Sequence, residues 1–398
     1  MKVTKKVNAK NLTLKYSLQH LVYWAACCGV VSFAATYLLS KGFTAAQTGR
    51  ILFTANLLSF LLQPVVAGAA DRAKRNIIPV VMTTLILISF TCFACIRFLS
   101  LPVWLFSALY VVTATSLDMQ IPMQNAENVY YTDRGWTINY GLARAVGSAS
   151  YAVLSLSMGY IMEDFGADWM PVISITLMAL YLGSLLLMPR DDSVSERHSD
   201  SGETSSLLSF FVKYKWYCIS LIGVLLLAFF HVMTENYLIQ ILGRLGGDSS
   251  GVGIALCVAT VAEAPALALF ASVHKKIGSY KVFLVAGLSY CLKAVLFIMA
   301  KSVTAIYLAQ ILQVTTYTFI SPVQMYYAKE CTEEADMVKG QSVITASFTL
   351  GCALGNLVGG EIITLAGVPV LLKASLGVAL LGTLALALTV PKAMPKNT

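Results

Sequence analysis

The chain has 398 residues, of which 57% are hydrophobic and 12% charged, with a formal net charge of +8 and a mean hydropathy of +0.73. An average soluble domain is about 25% charged, so this composition excludes a protein that is soluble throughout. In a membrane chain a positive balance reflects basic loops on one face of the bilayer, so it does not indicate nucleic-acid binding.

Twelve apolar runs follow one another, at about 15–39, 44–70, 76–97, 102–131, 138–162, 169–189, 214–242, 250–273, 279–300, 303–328, 338–364 and 367–390. Each is long enough to cross a hydrocarbon core of about 30 Å. The first is too long for the core of a signal peptide and reads as a retained helix. Residues 190–213 break the pattern with a polar, serine-rich start and no apolar periodicity, which reads as a cytoplasmic linker. The expectation is an all-α membrane protein of twelve transmembrane helices in two six-helix halves, 1–189 and 214–398. Placing both termini inside puts twenty of the 28 lysines and arginines on the inner face, which argues for cytoplasmic termini. The nine cysteines fall almost wholly within apolar runs. Cys92 and Cys95 form a Cys-x-x-Cys pair with no second pair and no partner histidines, so they read as packing residues and no metal site is expected.

Ionisable groups inside a span are costly and usually face a cavity or a partner. The deep candidates are Asp118, Glu127, Arg144, Glu235, Glu263 and Lys293, with His20 and His231 as titratable additions. Glu263 and Lys293 lie mid-run on the eighth and ninth spans. A buried carboxylate beside a buried ammonium can ionise as a pair, which a proton or an ionic substrate can break and remake. The alternative is a static pair that fixes helix packing, although burying two charges is a poor route to stability. Glu127 allows both a functional reading and a salt bridge to loop cations such as Arg134. Tyr23, Trp24, Asn236, Gln310, Gln313 and Tyr317, with His20, His231 and Glu235, make the first, seventh and tenth spans unusually polar for lipid-facing helices. They are read as the wall of a central cavity suited to an amphipathic solute.

Between the second and third runs stands Gln63-Pro-Val-Val-Ala-Gly-Ala-Ala-Asp71-Arg72-Ala-Lys74-Arg75. This loop resembles the cytoplasmic loop of the major facilitator superfamily, with Ala67 and Lys74 at two positions that are usually glycine. Tyr140-Gly141-Leu142-Ala143-Arg144, with Gly147-Ser148, is similar to the fifth-helix element of the lactose permease and phenylpropionate-permease-like group. Val261-Ala-Glu263-Ala-Pro265 resembles that group's eighth helix, and Ala309-Gln310-Ile-Leu-Gln313 its tenth. The resemblance implies the major facilitator fold, an alternating-access mechanism, Arg144 as a substrate contact and Asp71, Arg72 and Arg75 as a gating loop. Lys293 falls where the group has arginine. Asn125, two residues before Glu127, falls where lactose permease has its sugar-binding glutamate. Gln313 replaces a usual histidine, and Thr316 a proton-carrying glutamate, so neither that permease's proton relay nor its galactoside specificity carries over.

These features lead to the expectation of a proton-coupled symporter, acting as a monomer in the cytoplasmic membrane and taking up a small organic solute such as a sugar, nucleoside or aromatic acid. Glu263 leads as the proton carboxylate, followed by Asp118. Sodium stays open as the coupling ion, and no cofactor beyond the ion gradient is expected. An antiporter exporting drugs or metabolites, and a non-transporting receptor of the same fold, are the alternatives. The chain has no Walker phosphate loop and no nucleophile motif, so neither ATP-driven transport nor an enzyme is expected.

Overall fold

The computed structural model describes residues 9–72, 77–132, 134–136, 138–189 and 207–394, except for the side chains at 9–11, 64, 67–72, 207, 208 and 335. Among these residues every regular element is a helix. In chain order, α1 (Ala9–Cys27) passes through a π-turn at Cys28–Ser32 into α2 (Ala34–Ser40), a bend of 48°. Then come α3 (Ala45–Arg72), α4 (Ile78–Phe98), α5 (Val103–Asp118), α6 (Gln120–Thr132), α7 (Tyr140–Phe165) and α8 (Trp169–Leu186). Next comes α9 (Leu207–Lys213), a helix inside the stretch 190–213 read as linker, followed by α10 (Lys215–Glu235), α11 (Leu238–Gly243), α12 (Ser249–Met299), α13 (Val303–Gln310), a 3-10 turn at Ile311–Val314, α14 (Tyr317–Cys331), α15 (Met337–Ala366) and α16 (Val368–Ala393).

All twelve apolar runs are therefore helical. Eight helices among the described residues are long and apolar enough to cross a membrane, and the bent α1–α2 pair makes a ninth if it is one span. The 51-residue α12 holds two of the expected runs. They meet at Gly278, whose φ of 74° is a left-handed conformation that glycine adopts without the steric cost of a Cβ. The remaining runs are α3 and the α5–α6 pair, which is interrupted at Met119. Asp71 and Arg72 end α3, but their side chains, and the whole of Arg75, lie outside the described residues.

The chain forms two compact units. The first comprises Met1–Tyr37 and Leu58–Arg197, and the second Leu38–Leu57 and His198–Thr398. The second unit thus takes in a stretch that a division at the linker leaves in the first half.

In the first unit α1 packs against α7 and α8, and α4 against α5 and α8. Tyr37, Phe93 and Tyr110 form a buried aromatic cluster, and the Tyr110 hydroxyl donates to the Val30 carbonyl at 2.7 Å, beside the π-turn. In the second unit α10 packs against α15 and α16. A Cβ at Gly351 or Gly355 of α15 would overlap the carbonyls of Leu225 and Phe229 on α10. Lipid gives helices no hydrophobic reason to associate, so close backbone approach of this kind is a principal source of their cohesion. Within the same unit, Arg50 at the start of α3 pairs with Glu361 on α15 at 2.6 Å, and the Ala46 amide donates to Thr364 Oγ1 at 2.9 Å.

At the linker side of the second unit, Lys213 reaches Glu333 (2.8 Å) and Asp336 (3.1 Å), while the Tyr214 hydroxyl donates to Asp336 at 3.0 Å. The hydrogen bonds from Lys213 and Tyr214 pull the Asp336 carboxyl down to about 2. The bond to Glu333, followed by those to Tyr214 and Asp336, holds the Lys213 ammonium above its ordinary range.

Candidate functional site

Each unit carries its own cluster of buried polar side chains. In the first unit the cluster is built on α1. Tyr16, Gln19, His20 and Tyr23 recur at spacings of three and four, so they share one helix face. The Tyr16 hydroxyl donates to the Gln124 carbonyl on α6 (2.8 Å), and that of Tyr23 to the Leu117 carbonyl (3.0 Å). Leu117 lies next to the α5–α6 interruption. A break in a membrane helix frees backbone groups that neighbouring side chains must satisfy. His20 is 2% exposed. Its ring lies 4.7 Å from that of Tyr16 and edge-on to Tyr140 at 5.9 Å, and neither ring nitrogen has a hydrogen-bond partner among the described residues.

Arg144 on α7 places its guanidinium 3.7 Å over the Trp24 ring, a cation–π contact that also desolvates the cation. Gly147, one turn on, permits this approach, because a Cβ there would run into Trp24. Glu127 on α6 is 2% exposed and lies against Gln19, which is fully buried. Among the described residues, Glu127 Oε2 and both amide atoms of Gln19 lack partners in full hydrogen-bond geometry. Two neighbouring amides, Gln124 and Gln120, are paired, whereas Asn128 Oδ1 has no partner among the described residues. Gln124 Nε2 donates to the Tyr181 hydroxyl (3.0 Å), Tyr181 to Gln120 Oε1 (3.3 Å), and Gln120 Nε2 to the Met82 carbonyl (2.9 Å). Asp118 stands apart from this group and accepts from Ser59 on α3 at 3.4 Å. Asn125 is exposed and accepts from the Tyr140 hydroxyl at 3.0 Å.

In the second unit the cluster centres on an ion pair. Lys293 Nζ lies 2.6 Å from Glu235 Oε1, with side-chain exposures of 0% and 11%. Lys293 also donates to Gln313 Oε1 (3.2 Å), and Gln310 Nε2 donates to Glu235 Oε2 (3.1 Å). Thr316 Oγ1 donates to the same Gln313 oxygen at 3.4 Å. Three breaks position these groups. Glu235 is the last residue of α10, while Gln310 and Gln313 flank the change from α13 to the 3-10 turn, and Thr316 precedes α14. His231 sits one turn before Glu235 and stacks on Tyr317, centroids 4.8 Å apart. Asn236 and Tyr237 turn elsewhere, to the side-chain and backbone oxygens of Asn356 on α15.

The sequence suggested Glu263 as the partner of Lys293, but the structure pairs Lys293 with Glu235, read from the sequence as a deep ionisable residue of the cavity wall. Glu263 lies partly exposed on α12, two residues before Pro265. Gln19 was not singled out, although its spacing from Tyr16 and Tyr23 places it on their face of α1. Among the described residues no group of three or more histidines, cysteines or carboxylates could hold a metal ion, and the nine cysteines are free thiols.

A family model described as the MFS_1-like family matches residues 13–372. The chain belongs to the MFS_1-like family. It is thus a multi-pass membrane protein and a secondary transporter of the major facilitator fold, not an enzyme. Among solved structures, a mutant form of the nucleoside transporter NupG is similar with a TM-score of 0.83 at 14% identity, covering 94% of this chain and 98% of that one. A bacterial homolog to the human lysosomal transporter Spinster is similar with a TM-score of 0.72 at 14% identity, covering 99% and 100%. No curated protein sequence matches. In this MFS_1-like chain, the two polar clusters mark where charge and hydrogen-bonding capacity have been withdrawn from lipid.

Proposed function

We propose that the chain is a proton-coupled symporter that takes up a small organic solute, such as a sugar, nucleoside or aromatic acid, by alternating access. The observation that carries this reading is the buried Glu235–Lys293 pair inside its glutamine network. A buried ion pair contributes little net stability compared with apolar side chains of similar volume. Inside a membrane protein, ionisable groups mark ion and substrate pathways. Protonating Glu235 removes the negative partner of Lys293, and Gln310 and Gln313 are in hydrogen-bond contact with the two groups that separate. The pair is thus a switch that a single proton can throw. Arg144 over Trp24 supplies a cation and an aromatic face for the solute. That NupG is a nucleoside transporter fits a solute of this class. The distribution of lysine and arginine supports a cell-membrane location with both termini cytoplasmic, and the transporter is read as a monomer driven by the ion gradient alone.

Proteoliposomes holding the purified protein test this reading with an inward proton gradient and a panel of radiolabelled sugars, nucleosides and aromatic acids. Glu235→Gln should abolish accumulation above equilibrium while leaving exchange of labelled for unlabelled solute. Undiminished accumulation by Glu235→Gln, or proton movement opposite in direction to the solute, overturns it.

A further inference from the structure

We propose that Gln19, His20 and Glu127 form a recognition site of the first unit for a neutral planar heterocycle with adjacent N–H and C=O groups, the lactam edge of a nucleobase. The Gln19 amide faces the Glu127 carboxyl, and among the described residues both amide atoms of Gln19, both ring nitrogens of His20 and Glu127 Oε2 have no partner in full hydrogen-bond geometry. Burying an unpaired polar atom is unfavourable. The chain Gln124–Tyr181–Gln120 on the adjoining helices is paired through its hydroxyl, in contrast to the Gln19 amide. Gln19 is the most informative member. It is wholly buried, and its amide offers one donor and one acceptor side by side. That pattern matches a lactam edge through two parallel hydrogen bonds.

The surroundings favour a flat ring over a sugar. Tyr16, His20, Tyr140 and Trp24 place aromatic rings around the polar atoms, and aromatic faces stack on any planar base. The cluster also has an open side, because Tyr140 and Asn125, which hydrogen-bond to each other, are exposed. Glu127 and His20 supply further hydrogen-bonding groups at the ring's rim.

This inference rests on the transport reading above and narrows its solute. Isothermal titration calorimetry on the full-length protein in nanodiscs tests it with uridine and 3-methyluridine, whose N3 carries no hydrogen. Wild type should bind uridine about ten-fold or more tighter than 3-methyluridine, because a site built to hydrogen-bond rejects an analogue that leaves its groups unpaired. Gln19→Leu should weaken uridine binding by about ten-fold and erase the preference. The wild-type comparison stands by itself if that variant does not fold. Absence of uridine binding, equal affinity for the two nucleosides, or a preference that survives Gln19→Leu overturns the site. Proton-driven uptake of a sugar by a protein that does not bind uridine would overturn the heterocycle and leave the symport reading standing. Absence of proton-driven uptake of every solute, together with intact uridine selectivity, would do the reverse.

Discussion

Lys293 and Glu235 make a charge pair whose removal should affect folding and transport differently. Lys293→Ala leaves a buried carboxylate without its cation and is expected to cost about 3–5 kcal/mol of stability. Replacing both residues by leucine removes both charges, so stability should return close to that of wild type while gradient-driven uptake stays lost. Thermal unfolding in detergent and proteoliposome assays on the same preparations check the two halves of this statement. A double variant as unstable as Lys293→Ala would show that the pair serves packing. At this scale the sequence was only partly legible. Lys293 and Arg144 were identifiable because a cation in an apolar run needs an explanation. The partner of Lys293 was not, because Glu235 and Glu263 both lie on spans of the same half and the choice depends on the ends and rotations of helices. Gln19 escaped notice because the first span was read through His20, Tyr23 and Trp24, and only the packing of α6 against α1 brings Glu127 to the Gln19 amide.

At the scale of the element, α15 depends on its small residues. A Cβ at Gly351 would overlap the Leu225 carbonyl, whereas one at Gly377 on α16 meets nothing within 4 Å. Gly351→Leu should therefore push α15 from α10 and lower stability by at least about 1–3 kcal/mol, as overpacked cores do, while Gly377→Ala should be close to neutral. Thermal unfolding of the two variants side by side measures the difference, and equal midpoints would contradict the close-contact reading. The apolar runs that mark the spans were legible in advance, because length and hydropathy are local properties. The interruptions were harder to foresee. Only the break at Met119 has a local mark, Pro122, which lacks the amide that would bond the Asp118 carbonyl; the turn at Ile311–Val314, where Gln313 meets Lys293 and Thr316, has none.

At the scale of the whole molecule, the contacts around Asp336 tie the start of the C-terminal half, at Lys213 and Tyr214, to the turn before α15. The folded carboxyl is depressed to about 2, below an unperturbed aspartate near 3.9. The carboxylate's contribution is thus fully present above the unfolded value and is lost as pH falls through the folded one. Unfolding midpoints should drop between about pH 4 and pH 2, and Asp336→Asn should flatten that limb; an unchanged acid limb would place the acid sensitivity elsewhere. Added salt should weaken the contribution, because Lys213 is half exposed. The composition shift at 190–213 marks the expected linker, of which 190–206 lies outside the described residues and Leu207–Lys213 is helical. The grouping of 38–57 with the second unit was not legible in the sequence, because it rests on contacts such as Arg50–Glu361 between residues more than three hundred positions apart.

The guanidinium seated over Trp24 has an optical consequence. A cation held against an indole face perturbs the ring's excited state, so Trp24 emits under different conditions from Trp104, Trp136 and Trp169, while Trp216 has the Lys392 ammonium over its own ring at 4.5 Å. A solute that draws Arg144 away would change the lifetime of that one fluorophore, and Trp24→Phe would delete the signal. The protein thereby carries its own unlabelled gauge of site occupancy, readable in the millisecond mixing experiments that separate solute arrival from the steps that follow.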